Sequence, residues 1–311
     1  MKKIKLGTTA LNIAPLIFGG NVFGWTIDEK TSFNLLDKFF EKGFNCIDTA
    51  DVYSAWAPGN KGGESETIIG NWLKKRGRRD DAIIITKVGY NRKSGLSKKH
   101  ISESIEASLQ RLQTDYVDLY FSHQDDDVTP MDETLQTYQQ LIKAGKVRNI
   151  GASNFSAERL QQALKISAEK QLPSYTVLQP PGNLYDRAFE IEYKTVVEKN
   201  NLGVITYSSL AGGFLSGKYK SEEDFSKSVR GKGMSKFMND KGKKILKALN
   251  DVADEHSYPP AAVALAWLIQ HPLVTAPIAS ATKENQLDEL AQAAEINLSA
   301  NDIERLDQAG K

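Results

Sequence analysis

The sequence predicts an α/β fold, most simply a closed (β/α)8 TIM barrel. Two observations carry that prediction. Eight short apolar runs alternate with eight amphipathic stretches of helical period. Most of the runs are continuously apolar rather than alternating, as expected of parallel strands covered on both faces. The length of 311 residues suits one barrel of roughly 250 residues with additions. An open doubly wound sheet is the competing topology. The chain reads as one domain over residues 1–311, since no Pro/Ser-rich linker divides it.

The N-terminus opens with a hairpin: Ile4-Lys5-Leu6, a Gly7-Thr8-Thr9 turn, then Leu11-Asn12-Ile13, apolar and polar residues alternating in both arms. It is expected at the base of the barrel. The strands follow at Leu16–Phe18, Asn45–Asp48, Ala82–Thr86, Val117–Phe121, Val147–Gly151, Thr176–Gln179, Gly203–Tyr207 and Thr275–Ile278. The helices are expected at Asp28–Lys42, Glu64–Lys75, Ser97–Leu112, Met131–Ala144, Ala157–Lys170, Glu190–Asn200, Asp240–Glu255 and Lys283–Ala294. Thr129, Pro130 and Asp132 form a helix-start signature with Thr129 as cap. Gly43 and Gly145 mark helix ends. Pro259-Pro260 starts an extra helix, to His271, before the last strand. The polar stretch Gly212–Gly242 fits neither class of element.

Composition narrows the function. A net charge of +1 gives no reason to expect nucleic acid as partner, and no apolar run approaches the roughly 20 residues of a membrane helix. Cys46 is the only cysteine, so no internal disulfide forms; this suits a cytoplasmic protein. Gly212–Lys218 follows a strand and looks like a phosphate loop, but Tyr219 stands where such a loop needs Ser or Thr. Asp125-Asp126-Asp127 reads as a solvated run without metal-ligand spacing. The basic stretch Lys218–Lys244 mixes acids with its lysines and reads as a strap or insertion. His100, His256 and His271 lie in helical stretches without sequence partners.

Catalytic groups of a barrel sit at the C-terminal ends of its strands. Asp48 and Tyr53 follow the second strand, Lys87 ends the third, and His123 follows the fourth. A lysine charge beside a tyrosine favours the tyrosinate, and a carboxylate holds the lysine in place. The quartet suits proton delivery to an oxygen, with His123 orienting the carbonyl. Trp25, Trp56, Phe23 and Tyr185 fall in loops at the same mouth, where Trp25, Trp56 and Tyr185 are candidates for the substrate pocket.

The stretches Asn45–Tyr53 (NCIDTADVY), Ile83–Lys87 (IIITK), Asp115–His123 (DYVDLYFSH), Ala144–Phe155 (AGKVRNIGASNF) and Val204–Tyr219 (VITYSSLAGGFLSGKY) resemble the aldo-keto reductase family over nearly the whole chain. The resemblance implies catalytic roles for Asp48, Tyr53, Lys87 and His123, and reduction of a small carbonyl substrate by NADPH, with NADH as the lesser alternative. It also implies cofactor contacts from Gly20 and Asn21 at the nicotinamide ribose. Ser153, Asn154 and Gln179 match the groups at the carboxamide, and Tyr207 the ring that stacks on the nicotinamide. Ser208, Leu210, Gly212 and Lys218 match the pyrophosphate strap; Ser280, Thr282 and Gln286 match the adenosine end. This chain departs from the family at Gly20 (often Thr), Thr282 (often Arg or Ser), Leu290 (often Asn) and Gln124 (often Arg). A redox-sensing or regulatory NADPH-binding barrel with slow chemistry is the rival expectation. Oligomeric state has no sequence signal.

Overall fold

The computed structural model describes residues 1–90, 95–219 and 221–311. The hairpin pairs β1 (Ile4–Lys5) with β2 (Asn12–Ile13) antiparallel, Ile4 opposite Ile13. Eight parallel strands then close a barrel: β3 (Ile17–Gly19), β4 (Cys46–Asp48), β5 (Ile83–Val88), β6 (Leu119–Ser122), β7 (Ile150–Ser153), β8 (Tyr175–Gln179), β9 (Gly203–Thr206) and β10 (Ala276–Ala279), with β10 returning to β3. The strands are therefore those the apolar runs predict, and the open sheet is excluded.

The surrounding helices are α1 (Glu29–Glu41), α2 (Glu64–Arg76), α3 (Lys98–Leu112), α4 (Met131–Lys143), α5 (Ala157–Lys170), α6 (Phe189–Glu192), α7 (Lys194–Asn200), α8 (Asp240–His256), α9 (Pro260–Ile269), α10 (Glu284–Gln292) and α11 (Ala300–Gly310). Among the described residues, no helix is long and apolar enough to cross a membrane. Gly43 and Gly145 follow their helices at φ +89° and +75°, and Pro260 opens α9. Three expectations need correction. Thr129 does not cap α4: its hydroxyl bonds Asp126 and the helix starts after Pro130. The stretch predicted as one helix over 190–200 is two, meeting at Tyr193, which caps the end of one and the start of the other. Helix α11 went unread, although Ser299 and Asp302 form a capping box.

Two cores result. Residues facing outward from the strands pack under the helices. A smaller inner core fills the barrel: Ile17, Cys46, Ile85, Leu119, Phe121, Val177, Ile205, Ala276 and Ile278, closed below by Leu6, Leu11 and Ile13 of the hairpin. Gly7 shows which end is the base. A Cβ there would lie 2.3 Å from the nitrogen of Gly203, at the start of β9. Gly151 makes room for Phe121, whose ring would lie 2.4 Å from an added Cβ.

That contact yields a stability test. Gly151→Ala forces Phe121 out of its rotamer, and over-packing of this kind costs about 1–3 kcal/mol. The expected result is a lowered melting temperature, partly restored by Phe121→Leu in the double variant; additive losses would show that the two residues do not share one space.

Candidate active site

Side chains alternate along a strand, so the residue two beyond an inward core residue also points inward. Stepping by two from Cys46, Ile85, Phe121, Gly151, Val177, Ile205 and Ile278 gives Asp48, Lys87, His123, Ser153, Gln179, Tyr207 and Ser280. The polar ring at the mouth is thus the last inward layer of the barrel. Tyr53 is brought to it by the loop after β4. That loop is pinned by Ser54, whose hydroxyl donates to the Phe23 carbonyl at 2.6 Å, and by Asn60, which donates to the Gly24 carbonyl at 2.8 Å.

The four predicted catalytic side chains converge. Lys87 is fully buried; its Nζ donates to Asp48 Oδ2 and the Thr49 carbonyl, both at 2.7 Å, and to Tyr53 Oη at 3.0 Å. Tyr53 donates to Asp48 Oδ2 at 3.2 Å. Asp48 Oδ1 accepts from Gln179 Nε2 at 2.9 Å. The His123 ring lies 6.0 Å from that of Tyr53, and its Nδ1 is buried without a hydrogen-bond partner.

The electrostatics correct one expectation. Lys87 does not bring the Tyr53 phenol down: burial first, and then the negative charge of Asp48, push it well above 10. Burial lowers Lys87, and Asp48 opposes that. Burial, reinforced by the Lys87 charge, holds His123 well below 6.5 as a neutral imidazole. At neutral pH the phenol carries its proton, which is the state a proton donor needs.

A cavity of about 620 Å³ runs from Asp48 and Tyr53 to Gln286 and Leu290. Of the residues with predicted cofactor contacts, Asn21, Tyr207, Ser208, Leu210, Gly212, Lys218, Ser280, Thr282 and Gln286 line it. Gly20, Ser153, Asn154 and Gln179 do not. Gly20 lies in a short turn after β3 that accepts a bond from Ser65. Ser153 donates to the Gln179 carbonyl at 2.8 Å, Asn154 to the His123 carbonyl at 2.8 Å, and Tyr207 donates to Asn154 Oδ1 at 2.8 Å. These three bonds join the four strand ends into one wall. Gln286 holds the Thr282 loop by accepting from its backbone N–H and its hydroxyl. Gly212 and Gly213 adopt φ of +69° and +104°, so the segment after β9 turns rather than opening a helix, and Lys218 folds back beside Gly213.

Sequence reasoning missed Lys227, Arg230, Asn285 and Glu289, which also line the cavity. Arg230 is half-buried and, among the described residues, has no carboxylate partner; its guanidinium stacks on Trp25 at 5.0 Å. Its position in an irregular polar segment left no periodic signal. Tyr90 was missed as well, its ring 4.9 Å from His123.

Trp25 and Trp56 meet edge to face at 5.6 Å, and Trp56 lies 5.9 Å from the Tyr53 ring. Phe23 is core, stacked on Phe18. Tyr185 lies farther off, packed on Phe237 and lining a neighbouring cavity of about 900 Å³ with Asn183, Arg230 and Met234. The acidic run is not simply solvated: Asp126 is buried and binds the N–H groups of Leu96 and Val128, and Asp125 pairs with Arg159. His256 and His271 also have partners, Asp302 and Glu190, from elements far off in the chain.

The neutral, buried His123 makes a pH prediction. Its folded pKa lies below the unfolded value of about 6.5, so below that pH the unfolded chain binds the proton first and stability falls. The difference in melting temperature between wild type and His123→Gln should grow more favourable to the variant as pH drops from about 7 to about 5. A constant difference across that range would contradict the neutral assignment.

Comparison with known proteins identifies the family. The family model described as "Aldo/keto reductase family" matches residues 15–311. The "Uncharacterized oxidoreductase YrpG" of Bacillus subtilis (strain 168) is 33% identical over 308 residues, covering 96% of this chain and 92% of its own. The "Aldo-keto reductase YhdN" of the same organism is 33% identical over 309 residues, covering 96% and 87%. A "Probable voltage-gated potassium channel subunit beta" of Arabidopsis thaliana is 33% identical over 310 residues, covering 95% and 92%. With the whole barrel matched and relatives of this similarity aligned nearly end to end, the chain belongs to the aldo/keto reductase family of oxidoreductases.

Proposed function

We propose that this protein reduces an aldehyde or ketone to an alcohol with NADPH, and that Tyr53 is the general acid. The observation that carries the reading is the buried Asp48–Lys87–Tyr53 contact at one end of a cleft lined by cationic and apolar residues. The family acts on small carbonyl compounds and generally uses a nicotinamide dinucleotide.

The cleft fits such a dinucleotide. Lys218, Lys227, Arg230 and Lys283 give it positive charge, and Arg230 lacks an acid of its own among the described residues. A pyrophosphate supplies the missing anion, as charge-assisted hydrogen bonding favours. In this reading Ser208, Leu210, Gly212 and Lys218 strap the pyrophosphate, and Tyr207 stacks on the nicotinamide. Gly20 and Asn21 meet its ribose, and Ser153, Asn154 and Gln179 its carboxamide. Ser280, Thr282 and Gln286 hold the adenosine, with Lys283 at the 2′-phosphate. The bound cofactor supplies the hydride.

The protein supplies the proton. A carbonyl oxygen between Tyr53 and His123 accepts from the phenol, replacing the long bond from Tyr53 to Asp48. Lys87, 3.0 Å away, then stabilises the phenolate oxygen, and its burial leaves that attraction poorly screened. Asp48, with its other oxygen held by Gln179, keeps Lys87 in place. His123, neutral, donates a hydrogen bond and orients the carbonyl. Trp25 and Trp56 form the apolar wall of the pocket nearest Tyr53, while Tyr185 faces the neighbouring cavity.

Tyr53→Phe removes the proton donor and leaves the cleft intact. Turnover of a reactive aldehyde should fall by about 10²–10⁴-fold while cofactor affinity, read by fluorescence titration, is retained. Near wild-type turnover in that variant would refute the assignment. For the cofactor, Lys283→Ala should weaken NADPH binding by about tenfold and leave NADH binding unchanged, since a lost charge–phosphate contact of about 1.4 kcal/mol corresponds to that factor. Equal loss for both cofactors would refute the 2′-phosphate contact.

A further inference from the structure

Behind the Lys87–Asp48 pair lies a second polar layer that the proton transfer above does not use. Glu66 of α2 is fully buried. It accepts from the hydroxyl of Thr86, the neighbour of Lys87, and from Arg111 Nε of α3 at 2.7 Å. Asp51 lies in the same layer. Its backbone N–H donates to the Lys87 carbonyl at 3.3 Å, and its Oδ1 is buried with no hydrogen-bond partner. The following loop closes tightly over it. At Gly62, φ +99°, a Cβ would lie 3.0 Å from the Asp51 carbonyl oxygen; at Gly63, φ +86°, one would lie 2.5 Å from Arg111 Nε.

The charges in this layer do not match in number. Asp48 with Lys87 and Glu66 with Arg111 are two closed ion pairs, each at 2.7 Å. Asp51 adds a third carboxyl and, among the described residues, no cation within ion-pair distance. The groups that feel its charge are Lys87 on β5, Glu66 on α2, Arg111 on α3, Tyr120 on β6 and Tyr138 on α4. Desolvation and then Glu66 push the carboxyl of Asp51 up to about 7. When it ionises, the layer behind the tetrad gains one uncompensated negative charge.

We propose that Asp51 is a positioning residue whose buried, unpartnered carboxyl, on a loop bonded to the Lys87 backbone and closed over by Gly62 and Gly63, sets how tightly Lys87 holds its proton. Ionised Asp51 keeps Lys87 charged to higher pH, so the cation that stabilises the Tyr53 phenolate persists into the alkaline range. The consequence for turnover rests on the reading of Tyr53 as general acid; the effect on Lys87 does not.

The test reads Lys87 directly. In protein carrying isotope-labelled lysine, its resonance is assigned with Lys87→Met and titrated by nuclear magnetic resonance. Asp51→Asn should lower the Lys87 midpoint by about half a unit or more, roughly a threefold loss of proton affinity, because a neighbouring negative charge favours the ammonium. Asp51→Glu should stay near the wild-type midpoint. In parallel, the alkaline limb of kcat for carbonyl reduction should move down with that midpoint in Asp51→Asn, with KM for NADPH unchanged. An unmoved Lys87 midpoint in folded Asp51→Asn overturns the proposal; Asp51→Ser carries the same comparison if the first variant fails to fold. A moved midpoint together with full turnover in Tyr53→Phe would sink the donor reading alone and leave the role of Asp51 toward Lys87 standing.

Discussion

The Lys87 ammonium, carried to the barrel mouth with no surface left to water, constrains everything around it. A buried charge costs several kcal/mol unless it is paired and its remaining donors are satisfied. Here all three N–H groups have acceptors: Asp48, the Thr49 carbonyl and the Tyr53 hydroxyl. Two of these come from the loop after β4, so the loop cannot move without stranding the lysine. The Ser54 and Asn60 bonds to the backbone of residues 23 and 24 then tie that loop to its neighbour. Gln179, from the far side of the barrel, completes the carboxylate. The chemistry and the stability of this mouth thus share one hydrogen-bond network.

The barrel delivers that network through strand periodicity. An inner core of aliphatic side chains and Phe121 fills the lower barrel, and the hairpin seals its base. The next inward position is polar on seven of the eight strands and is Gly19 on β3. Below, side chains exclude water; above, they face the cleft. One step of two residues separates the two regimes, which is why a rigid core and a polar site coexist within single strands of four to six residues at β5 and β6. The loop after β4 sets Tyr53 where burial and the Asp48 charge both keep its proton in place.

The described residues between 211 and 237 follow other rules. They form short 3-10 turns broken by Gly212 and Gly213 in left-handed backbone, and their aromatic anchors Phe214 and Phe237 stack at 5.1 Å. Those anchors hold Arg230 over Trp25 and between the two cavities. Local propensity does not specify such a path; tertiary packing of two rings does. The same holds for Thr129, which leaves its expected cap to bond Asp126, and for Tyr185, which turns to Phe237 rather than toward Tyr53.

What the sequence by itself determined is the part governed by period. Bare apolar runs marked all eight barrel strands, glycines and prolines marked helix ends, and the polar residues at or just after four of the runs marked Asp48, Lys87, His123 and Gln179. These are local signals, because a strand fixes the direction of each side chain relative to its neighbours two positions away. The tertiary structure alone decided what depends on distance between elements. It gave Lys87 its burial and its partners, and it raised the Tyr53 phenol where an isolated lysine–tyrosine pair implied the reverse. It paired His256 with Asp302, and it set Asp51 behind the Lys87–Asp48 pair with no cation at ion-pair distance among the described residues. Charge–charge and desolvation effects depend on separation and exclusion of water, and neither quantity exists until the chain has folded.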